Sequence, residues 1–324
     1  MSSGPERAPV FGLVGAGGYI APRHMAAMGE VGGTLALACD PNDSVGILDR
    51  YAPDADFFTE FERFEAAMAT RHRHRLEPLS HVAICSPNHL HHAHAAAAMR
   101  LGADVICEKP LVVEPVLLDE LEEVEAATGR RVFNILQLRH HAAILDLKAR
   151  LAAAESDRKH EVTLTYVTSR GPWYHASWKS DPQRSGGIAM NIGIHFFDML
   201  GFVFGELQEN RPHRVEPRRA TGFLEFERAR VRWFLSIDRA DLPVDVASGQ
   251  TTWRSITVDG AEVEFSGGFT DLHTESYRAI LVGGGYGIAD ARMSIEASHR
   301  VHNGPCHAPG NDGHPLLRAV AGDG

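Results

Sequence analysis

The chain has 324 residues, of which 44% are hydrophobic and 23% charged, and its formal net charge is −10 with histidine neutral. This length accommodates two domains of ordinary size, and the composition is that of a globular protein. The acidic balance argues against a nucleic-acid-binding protein, which would present a basic surface. We find no apolar run long enough to span a bilayer, and the N-terminus lacks an apolar signal core.

Strands and helices alternate over the first 134 residues. Short apolar runs end in turns and are followed by segments with helical periodicity, which favours parallel βαβ units. Strands are predicted at 10–14, 35–39, 81–85, 105–107 and 132–136, and helices at 21–28, 91–101 and 117–128.

The second half has a different pattern, in which apolar and polar side chains alternate as in half-buried strands. Asp259-Gly260 is a strong two-residue hairpin signal, and a second hairpin surrounds residues 227–230. The pairing favours a mainly antiparallel sheet. Strands are predicted at 161–168, 222–226, 231–237, 255–258 and 262–265, and helices at 188–204, 274–282 and 288–301.

These patterns predict an α/β protein with an N-terminal Rossmann dinucleotide-binding domain and a C-terminal α/β domain with a mainly antiparallel open sheet. We place the Rossmann domain at 1–134 and the domain for substrate binding and oligomerisation at 135–302. Residues 303–324 are rich in Gly, Pro and His, which predicts a mobile tail.

A glycine-rich turn falls between the first strand and the first helix, where a dinucleotide site needs it. Gly15 and Gly17 fit G-x-G-x-x-G/A, but Ile20 holds the third position and Ala21 comes one residue later. Small residues let the backbone approach a pyrophosphate, and the helix N-terminus offers free N–H groups to it. A glycine turn alone is a weak signal; its position between strand and helix strengthens it.

The second strand ends in Asp40, 23 residues beyond Gly17. A carboxylate there accepts hydrogen bonds from the adenosine ribose and repels a 2′-phosphate, which favours NAD over NADP. Two polar groups end later strands, where ligands bind in open α/β sheets. They are Ser86-Pro87-Asn88-His89 and Glu108-Lys109-Pro110.

Neither cysteine nor histidine predicts a metal site. The four cysteines form no Cys-x-x-Cys pair, which is typical of reduced thiols in a cytoplasmic protein. The 19 histidines are scattered along the chain, so we expect no metal ion.

Four motifs together resemble the Gfo/Idh/MocA oxidoreductases over residues 10–302. They are Gly15-Ala-Gly17, Ser86-Pro87-Asn88-x-x-His91, Glu108-Lys109-Pro110 and Gly186-Gly187-x-x-x-Asn191-x-Gly193-x-His195-x-x-Asp198. Four further stretches resemble one group within the family, the UDP-N-acetylglucosaminuronate 3-dehydrogenases of the WlbA/WbpB type. These stretches are 136–139, 168–174, 177–179 and 269–273.

This resemblance implies NAD-dependent oxidation of the 3-hydroxyl of a UDP-N-acetylhexosaminuronic acid (UDP-GlcNAcA) in lipopolysaccharide O-antigen sugar biosynthesis. It also implies reoxidation of NADH by 2-oxoglutarate in some members, and a cytoplasmic homotetramer. The alternative substrates are another sugar, such as UDP-GlcNAc, and a polyol or inositol. A non-catalytic dinucleotide-binding regulator is the alternative from another class.

Lys109 and His195 are the predicted catalytic residues. The imidazole is partly neutral at working pH and can accept the hydroxyl proton, while the ammonium can stabilise the developing oxyanion or, if desolvated, act as the base. Many family members carry Asp four residues before this histidine, where this sequence has Asn191. Asn cannot take part in proton transfer, so we do not predict an Asp–His pair for that step.

The resemblance also assigns binding residues. Arginines can hold a diphosphate or carboxylate with paired hydrogen bonds, and aromatic rings can stack on uracil or sugar. Predicted cofactor contacts are Gly15, Gly17, Gly18, Tyr19, Ile20, Asp40, Ser86, Pro87, Asn88, His91, Glu108, Lys109 and Gln137. Predicted substrate contacts are Lys109, Gln137, Arg139, Arg170, Trp173, Tyr174, Trp178, Lys179, Asn191, His195 and His273.

Overall fold

The computed structural model describes residues 8–74, 77–154, 158–243, 246, 249–264 and 267–320. The chain divides into two compact units, each assembled from separate stretches of sequence. The first unit comprises Met1–Val112, Val116–Gln137 and Thr270–Ala291, and the second comprises Val113–Pro115, Leu138–Phe269 and Arg292–Gly324.

The first unit is built on a six-stranded parallel sheet with strand order β3-β2-β1-β4-β5-β6, the order of a Rossmann fold. Helices flank the sheet, so its strands are nearly continuous apolar runs. The strands are β1 Val10–Val14, β2 Thr34–Cys39, β3 Asp56–Phe58, β4 His81–Ile84, β5 Asp104–Cys107 and β6 Val132–Asn134. The helices are α1 Ala21–Glu30, α2 Leu48–Tyr51, α3 Phe61–Arg73, α4 His91–Arg100 and α5 Val116–Thr128.

A helix from far along the chain completes the core of the first unit. Helix α10 (Leu272–Leu281) packs against α1. Its Tyr277 and Ile280 are buried in the cluster that contains Phe11 and Met25. The first unit therefore includes a segment, 270–291, that follows the second sheet in sequence.

The second unit is built on a six-stranded sheet with order β12-β11-β7-β10-β9-β8. Among the described strands of this sheet only β7 and β10 pair in parallel, so the predicted mainly antiparallel sheet is confirmed. Its strands are β7 His160–Thr168, β8 Leu207–Val215, β9 Arg219–Phe226, β10 Ala229–Ser236, β11 Thr252–Val258 and β12 Ala261–Glu262. The remaining helices are α6 Ala142–Ala153, α7 Pro172–Ala176, α8 Pro182–Ser185, α9 Ile194–Phe204, α11 Ile288–Asn303 and α12 Pro315–Val320.

The hairpin predicted at Asp259-Gly260 joins β11 to β12. Both residues have positive φ, 50° and 82°, as a two-residue turn between twisted strands requires. Residue 265, placed by the pattern in the second strand, lies outside the described residues. Strand β8 escaped prediction because its sequence is mostly polar and contains Pro212. It lies at the edge of the sheet, where a proline costs least.

The helical stretch Pro182–Phe204 meets the length and composition expected of a membrane span, although the sequence predicted none. However, 72% of its most apolar window is buried inside the protein. A π-helical segment, Ala189–Gly193, precedes α9 within it. This stretch is therefore the core helix of the second unit, which is consistent with a soluble protein.

Within the predicted mobile tail, residues 307–314 make specific contacts. The backbone N–H of His307 donates to the carbonyl of Pro212 at 2.7 Å, and Asp312 pairs with Arg211 at 3.2 Å. The ring of His314 stacks on Phe234 and is buried. Composition alone misled the prediction because these polar residues find partners on the second sheet.

A buried ion pair lies in the second unit between Arg139 and Asp198, which are 8% and 1% exposed. The Nε and Nη2 groups of the guanidinium donate to the two carboxylate oxygens at 3.1 and 2.7 Å. The guanidinium also lies 5.3 Å from the ring centre of Phe202. Arg139 therefore ties the chain entering this unit to helix α9.

We expect Asp198→Asn to lower the free energy of unfolding by about 3–5 kcal/mol, because it leaves a buried guanidinium without its counter-charge. Urea unfolding measures this loss. Glu60→Gln, which breaks the exposed pair between Glu60 and Arg63, is the matched control and should change stability by less than about 1 kcal/mol. Equal effects of the two substitutions would contradict the assignment.

His314 should make stability depend on pH. Burial, followed by the charge of Arg232, lowers its pKa to about 4, and its Nε2 lies 3.0 Å from Thr165 Oγ1. Because the unfolded chain takes up this proton first, stability is retained above about pH 6.5 and falls as the pH drops toward 4. Between pH 7 and 5, urea unfolding should show about 2 kcal/mol less loss for His314→Gln than for the wild type. Equal losses would argue against a neutral, docked His314.

Candidate active site

The glycine turn after β1 is held by the ends of two neighbouring strands. The N–H of Gly15 donates to the carbonyl of Cys39 at 2.7 Å. Gly15 has φ +92°, and a Cβ on it would lie 2.5–2.6 Å from the backbone of Cys85 and Ser86. A side chain at this position would therefore push apart the strand ends beside the turn.

The turn leaves two backbone donors at the start of helix α1. Within the described part of the chain, the N–H groups of Tyr19 and Ile20 make no hydrogen bond. Ile20 is the N-cap and has no polar side chain to cap the helix. The first turn of α1 carries no acidic residue either. This helix terminus can therefore receive an anion.

Asp40 lies beside the glycine turn. Its Oδ2 accepts the N–H of Gly17 at 2.9 Å and its Oδ1 accepts the N–H of Asn42 at 2.9 Å. A Cβ on Gly17 would lie 3.2 Å from this carboxylate. The carboxylate thus stands next to the turn, with lone pairs left for a ribose hydroxyl.

His91 connects the loops that follow β4 and β5. Its ring is buried, with Nδ1 2.6 Å from the Pro110 carbonyl oxygen and Nε2 2.7 Å from the Ser86 carbonyl oxygen. Both ring nitrogens therefore face protein groups. The structure gives His91 a role in shaping these loops, where the sequence predicted a cofactor contact.

Glu108 is buried and accepts hydrogen bonds through both carboxylate oxygens. Its Oε1 lies 3.1 Å from His24 Nε2 and 2.9 Å from His273 Nε2, and its Oε2 accepts the N–H of Lys109 at 3.2 Å. His24 Nδ1 lies 2.9 Å from the hydroxyl of Tyr277. The predicted contacts Glu108 and His273 are thus joined to each other inside the first unit.

Sequence reasoning missed His24, Tyr277 and Asn134. Asn134 Nδ2 donates to the carbonyls of Cys107 and Glu108 at 3.0 and 3.1 Å. Each of these residues lies inside an ordinary strand or helix pattern, so no local signal distinguishes it. Gln137, which the sequence did identify, has a buried Oε1 with no hydrogen-bond partner among the described residues.

In the second unit, Asn191 and Arg170 meet at Tyr174. The Nδ2 of Asn191 donates to the Tyr174 hydroxyl at 2.8 Å, and the Arg170 guanidinium lies 5.8 Å from the Tyr174 ring centre. Tyr174 is only 3% exposed, and burial raises its pKa even though the Asn191 hydrogen bond opposes this. Tyr174 therefore supports Asn191 and Arg170, which differs from its predicted direct contact.

The other predicted substrate residues of this unit remain accessible, except Arg139, which is committed to Asp198. Trp173 is exposed, and the Lys179 ammonium lies 3.9 Å from the ring centre of Trp178. His195 is half-buried in the first turn of α9. Its predicted catalytic partner Lys109 belongs to the first unit, immediately before a cis peptide bond to Pro110.

Two family models match the chain. One is described as an oxidoreductase family with an NAD-binding Rossmann fold and covers residues 10–135, and the other is that family's C-terminal alpha/beta domain, at residues 159–239. Solved structures of the WlbA (WbpB) dehydrogenase from Thermus thermophilus are 48% identical, with TM-scores of 0.92 and 0.91, over 95% of this chain and 100% of that one. One contains NAD and alpha-ketoglutarate, and the other NAD and UDP-GlcNAcA.

The chain belongs to the Gfo/Idh/MocA oxidoreductase family.

Curated relatives in this family match over shorter regions. D-glucoside 3-dehydrogenase of Escherichia coli (strain K12) is 27% identical over 128 residues, 38% of this chain and 35% of that protein. A putative UDP-kanosamine synthase oxidoreductase subunit of Amycolatopsis mediterranei (strain S699) is 26% identical over 216 residues, 65% of this chain and 57% of that protein. The chain thus matches between about one third and 57% of the length of these two proteins.

NAD is the cofactor of this Gfo/Idh/MocA oxidoreductase. The first unit fits it, because the turn after β1 combines a position that admits no Cβ with the two unbonded N–H groups of Tyr19 and Ile20. Those donors suit a pyrophosphate, and Asp40 suits an unphosphorylated ribose.

Asp40→Asn should raise the ratio of NADP to NAD affinity by about tenfold, because it removes the charge that repels a 2′-phosphate while keeping an acceptor for Gly17. Titration with each nucleotide measures the ratio. Asp43→Asn, an exposed acid in the same loop, is the control and should leave the ratio unchanged. An unchanged ratio in Asp40→Asn would exclude Asp40 from the ribose site.

Proposed function

We propose that this protein oxidises the 3-hydroxyl of UDP-GlcNAcA to the 3-keto sugar with NAD. The observation that carries the proposal is the 48% identity over 95% of the chain to a dehydrogenase whose solved structure contains NAD and UDP-GlcNAcA. The residues named above supply the chemistry, with Lys109 at the carboxyl end of β5 and His195 at the start of α9.

Oxidation of a secondary alcohol requires removal of a hydride and a proton. NAD, when bound, accepts the hydride. One of Lys109 and His195 takes the hydroxyl proton, and the other stabilises the charge that develops on oxygen. Asn191 cannot accept a proton and instead orients the sugar through hydrogen bonds. The proton-transfer step therefore rests on Lys109 and His195 alone.

The anionic groups of the substrate bind cationic side chains of the second unit. Arg170 and Lys179 hold the diphosphate or the sugar carboxylate, and the exposed Trp173 stacks on uracil or sugar. The buried Nε of Arg170 has no hydrogen-bond partner among the described residues, which supports a ligand-binding role for this guanidinium.

We also propose a wider context for the reaction. Binding of alpha-ketoglutarate by the Thermus dehydrogenase supports 2-oxoglutarate as the oxidant that regenerates NAD. Four free cysteines support a cytoplasmic location. The family resemblance supports a homotetramer and a place in O-antigen sugar synthesis.

Lys109→Ala and His195→Ala should each lower kcat by about 10²–10⁴-fold with NAD still bound, because each removes a proton-transfer or charge-stabilising group. NADH absorbance with UDP-GlcNAcA as substrate measures kcat. Lys109→Arg separates the roles, since arginine keeps the charge but cannot act as a base. Substantial activity in Lys109→Arg assigns the proton to His195.

Two substitutions at paired residues of the second unit serve as controls. Lys159→Ala removes a lysine that pairs with Glu225, and His299→Gln removes a histidine that pairs with Glu114. Both should keep wild-type kcat. Turnover of UDP-GlcNAc or a polyol in preference to UDP-GlcNAcA would contradict the proposed substrate. Bound NAD without turnover of any alcohol would favour a regulator.

A further inference from the structure

A buried hydrogen-bond network in the first unit joins three distant parts of the sequence. His24 lies on α1, Glu108 follows β5, and His273 and Tyr277 lie on α10. All four side chains are almost fully buried. The only group in this set that is adjacent to the proposed chemistry is Glu108, whose Oε2 accepts the N–H of Lys109.

The positions of the protons follow from the partners. Each histidine Nε2 faces the same carboxylate oxygen and must donate to it, so both Nε2 atoms carry the proton. His24 Nδ1 is then an acceptor, to which the Tyr277 hydroxyl donates a hydrogen bond at 2.9 Å. The chain of donors therefore runs from Tyr277 through His24 to Glu108, with His273 donating from the other side.

The charge of the network is also determined. Burial alone would raise the pKa of Glu108, but the hydrogen bonds and charges of His24 and His273 outweigh it and hold this pKa well below its usual range. Burial lowers the pKa of His24 despite the neighbouring carboxylate. Glu108 is thus an ionised carboxylate whose charge is spread over three N–H donors.

A metal ion is the competing explanation, since the three ligand atoms of His24, Glu108 and His273 lie within 4.8 Å of one another. Metal binding would require both Nε2 atoms to lose their protons. The proton of His24 would move to Nδ1, and the Tyr277 hydroxyl would have to rotate to accept it. Because the observed contacts already satisfy each donor with an acceptor, hydrogen bonding explains them better.

The backbone around Lys109 is held from several sides. Glu108 binds its N–H, Asn134 donates to the carbonyls of Cys107 and Glu108, and His91 contacts the carbonyl of Pro110. A lysine ammonium sits on a flexible four-carbon chain, so its reach is set by where its backbone is fixed. A displacement of about 1 Å at a reacting group can cost about 10²-fold in rate.

We propose that His24 and His273 act through Glu108 as positioning residues for Lys109. The network fixes the Lys109 backbone, and α10 is the element that completes it. This inference rests on the proposed function for its effect on turnover. Its structural part, the anchoring of the Lys109 amide, is independent of the substrate.

Two substitutions at His273 test the donor directly. A glutamine amide nitrogen reaches the position of imidazole Nε2, whereas an asparagine amide reaches only that of Nδ1. His273→Gln therefore keeps the hydrogen bond to Glu108 and His273→Asn loses it, although both replace the same ring. We expect kcat of His273→Asn to be about tenfold or more below that of His273→Gln, with the two KM values changed less than about threefold.

Amide hydrogen exchange of the segment containing Lys109 provides the readout that needs no substrate. Exchange at Lys109 should be about tenfold or more faster in His273→Asn than in His273→Gln. Equal exchange in the two variants would overturn the network, whatever the enzyme oxidises. Faster exchange combined with a wild type inactive on UDP-GlcNAcA would retain the network and refute the proposed substrate.

Two further results would count against the proposal. Equal kcat in both His273 variants of an active enzyme would show that the anchor does not serve catalysis. One equivalent of tightly bound metal in the purified protein, lost in His24→Ala, would replace the hydrogen-bond network with a metal site. The proposal is supported if the purified protein contains no metal and if His273→Gln and His273→Asn differ in kcat and in amide exchange.

Discussion

The first unit depends on a turn that passes through a space with no room for a side chain. Gly15 places its backbone against the end of β4, where a Cβ would come within 2.6 Å of Cys85 and Ser86. This close approach lets the chain start helix α1 directly over the carboxyl ends of the strands. The free N–H groups of Tyr19 and Ile20 follow from it, and so does the position of Asp40 beside Gly17.

Both units bury a carboxylate, and each compensates it differently. In the second unit, Asp198 faces the full positive charge of Arg139 through two hydrogen bonds. In the first, Glu108 accepts hydrogen bonds from His24, His273 and the Lys109 amide. Asp198 is therefore compensated by a full charge, whereas the Glu108 carboxylate is stabilised by three hydrogen bonds in the loop that carries Lys109.

Sequence reasoning predicted the class of each unit because the signals are local. The buried parallel strands are continuous apolar runs, and the antiparallel strands alternate. The pattern at Asp259-Gly260 identified its hairpin from two residues. Among site residues, those on the glycine turn and at strand ends were recognisable, since Gly15, Asp40 and Lys109 occupy positions that the fold repeats. The sequence also predicted ligand contacts for Arg139, His91 and Tyr174. In the structure, these side chains bind other residues of their own units.

The sequence by itself determined the class of each sheet, the glycine turn after β1 and the family, because periodicity, turn chemistry and motif spacing act over a few residues. Only the tertiary structure decided that residues 270–291 return to the first unit, that His273 meets Glu108 across 165 positions, and that residues 307–314 contact the second sheet. These outcomes depend on which buried polar groups find partners far away in the chain. No local pattern encodes that pairing, since a buried histidine and an exposed one look alike in sequence.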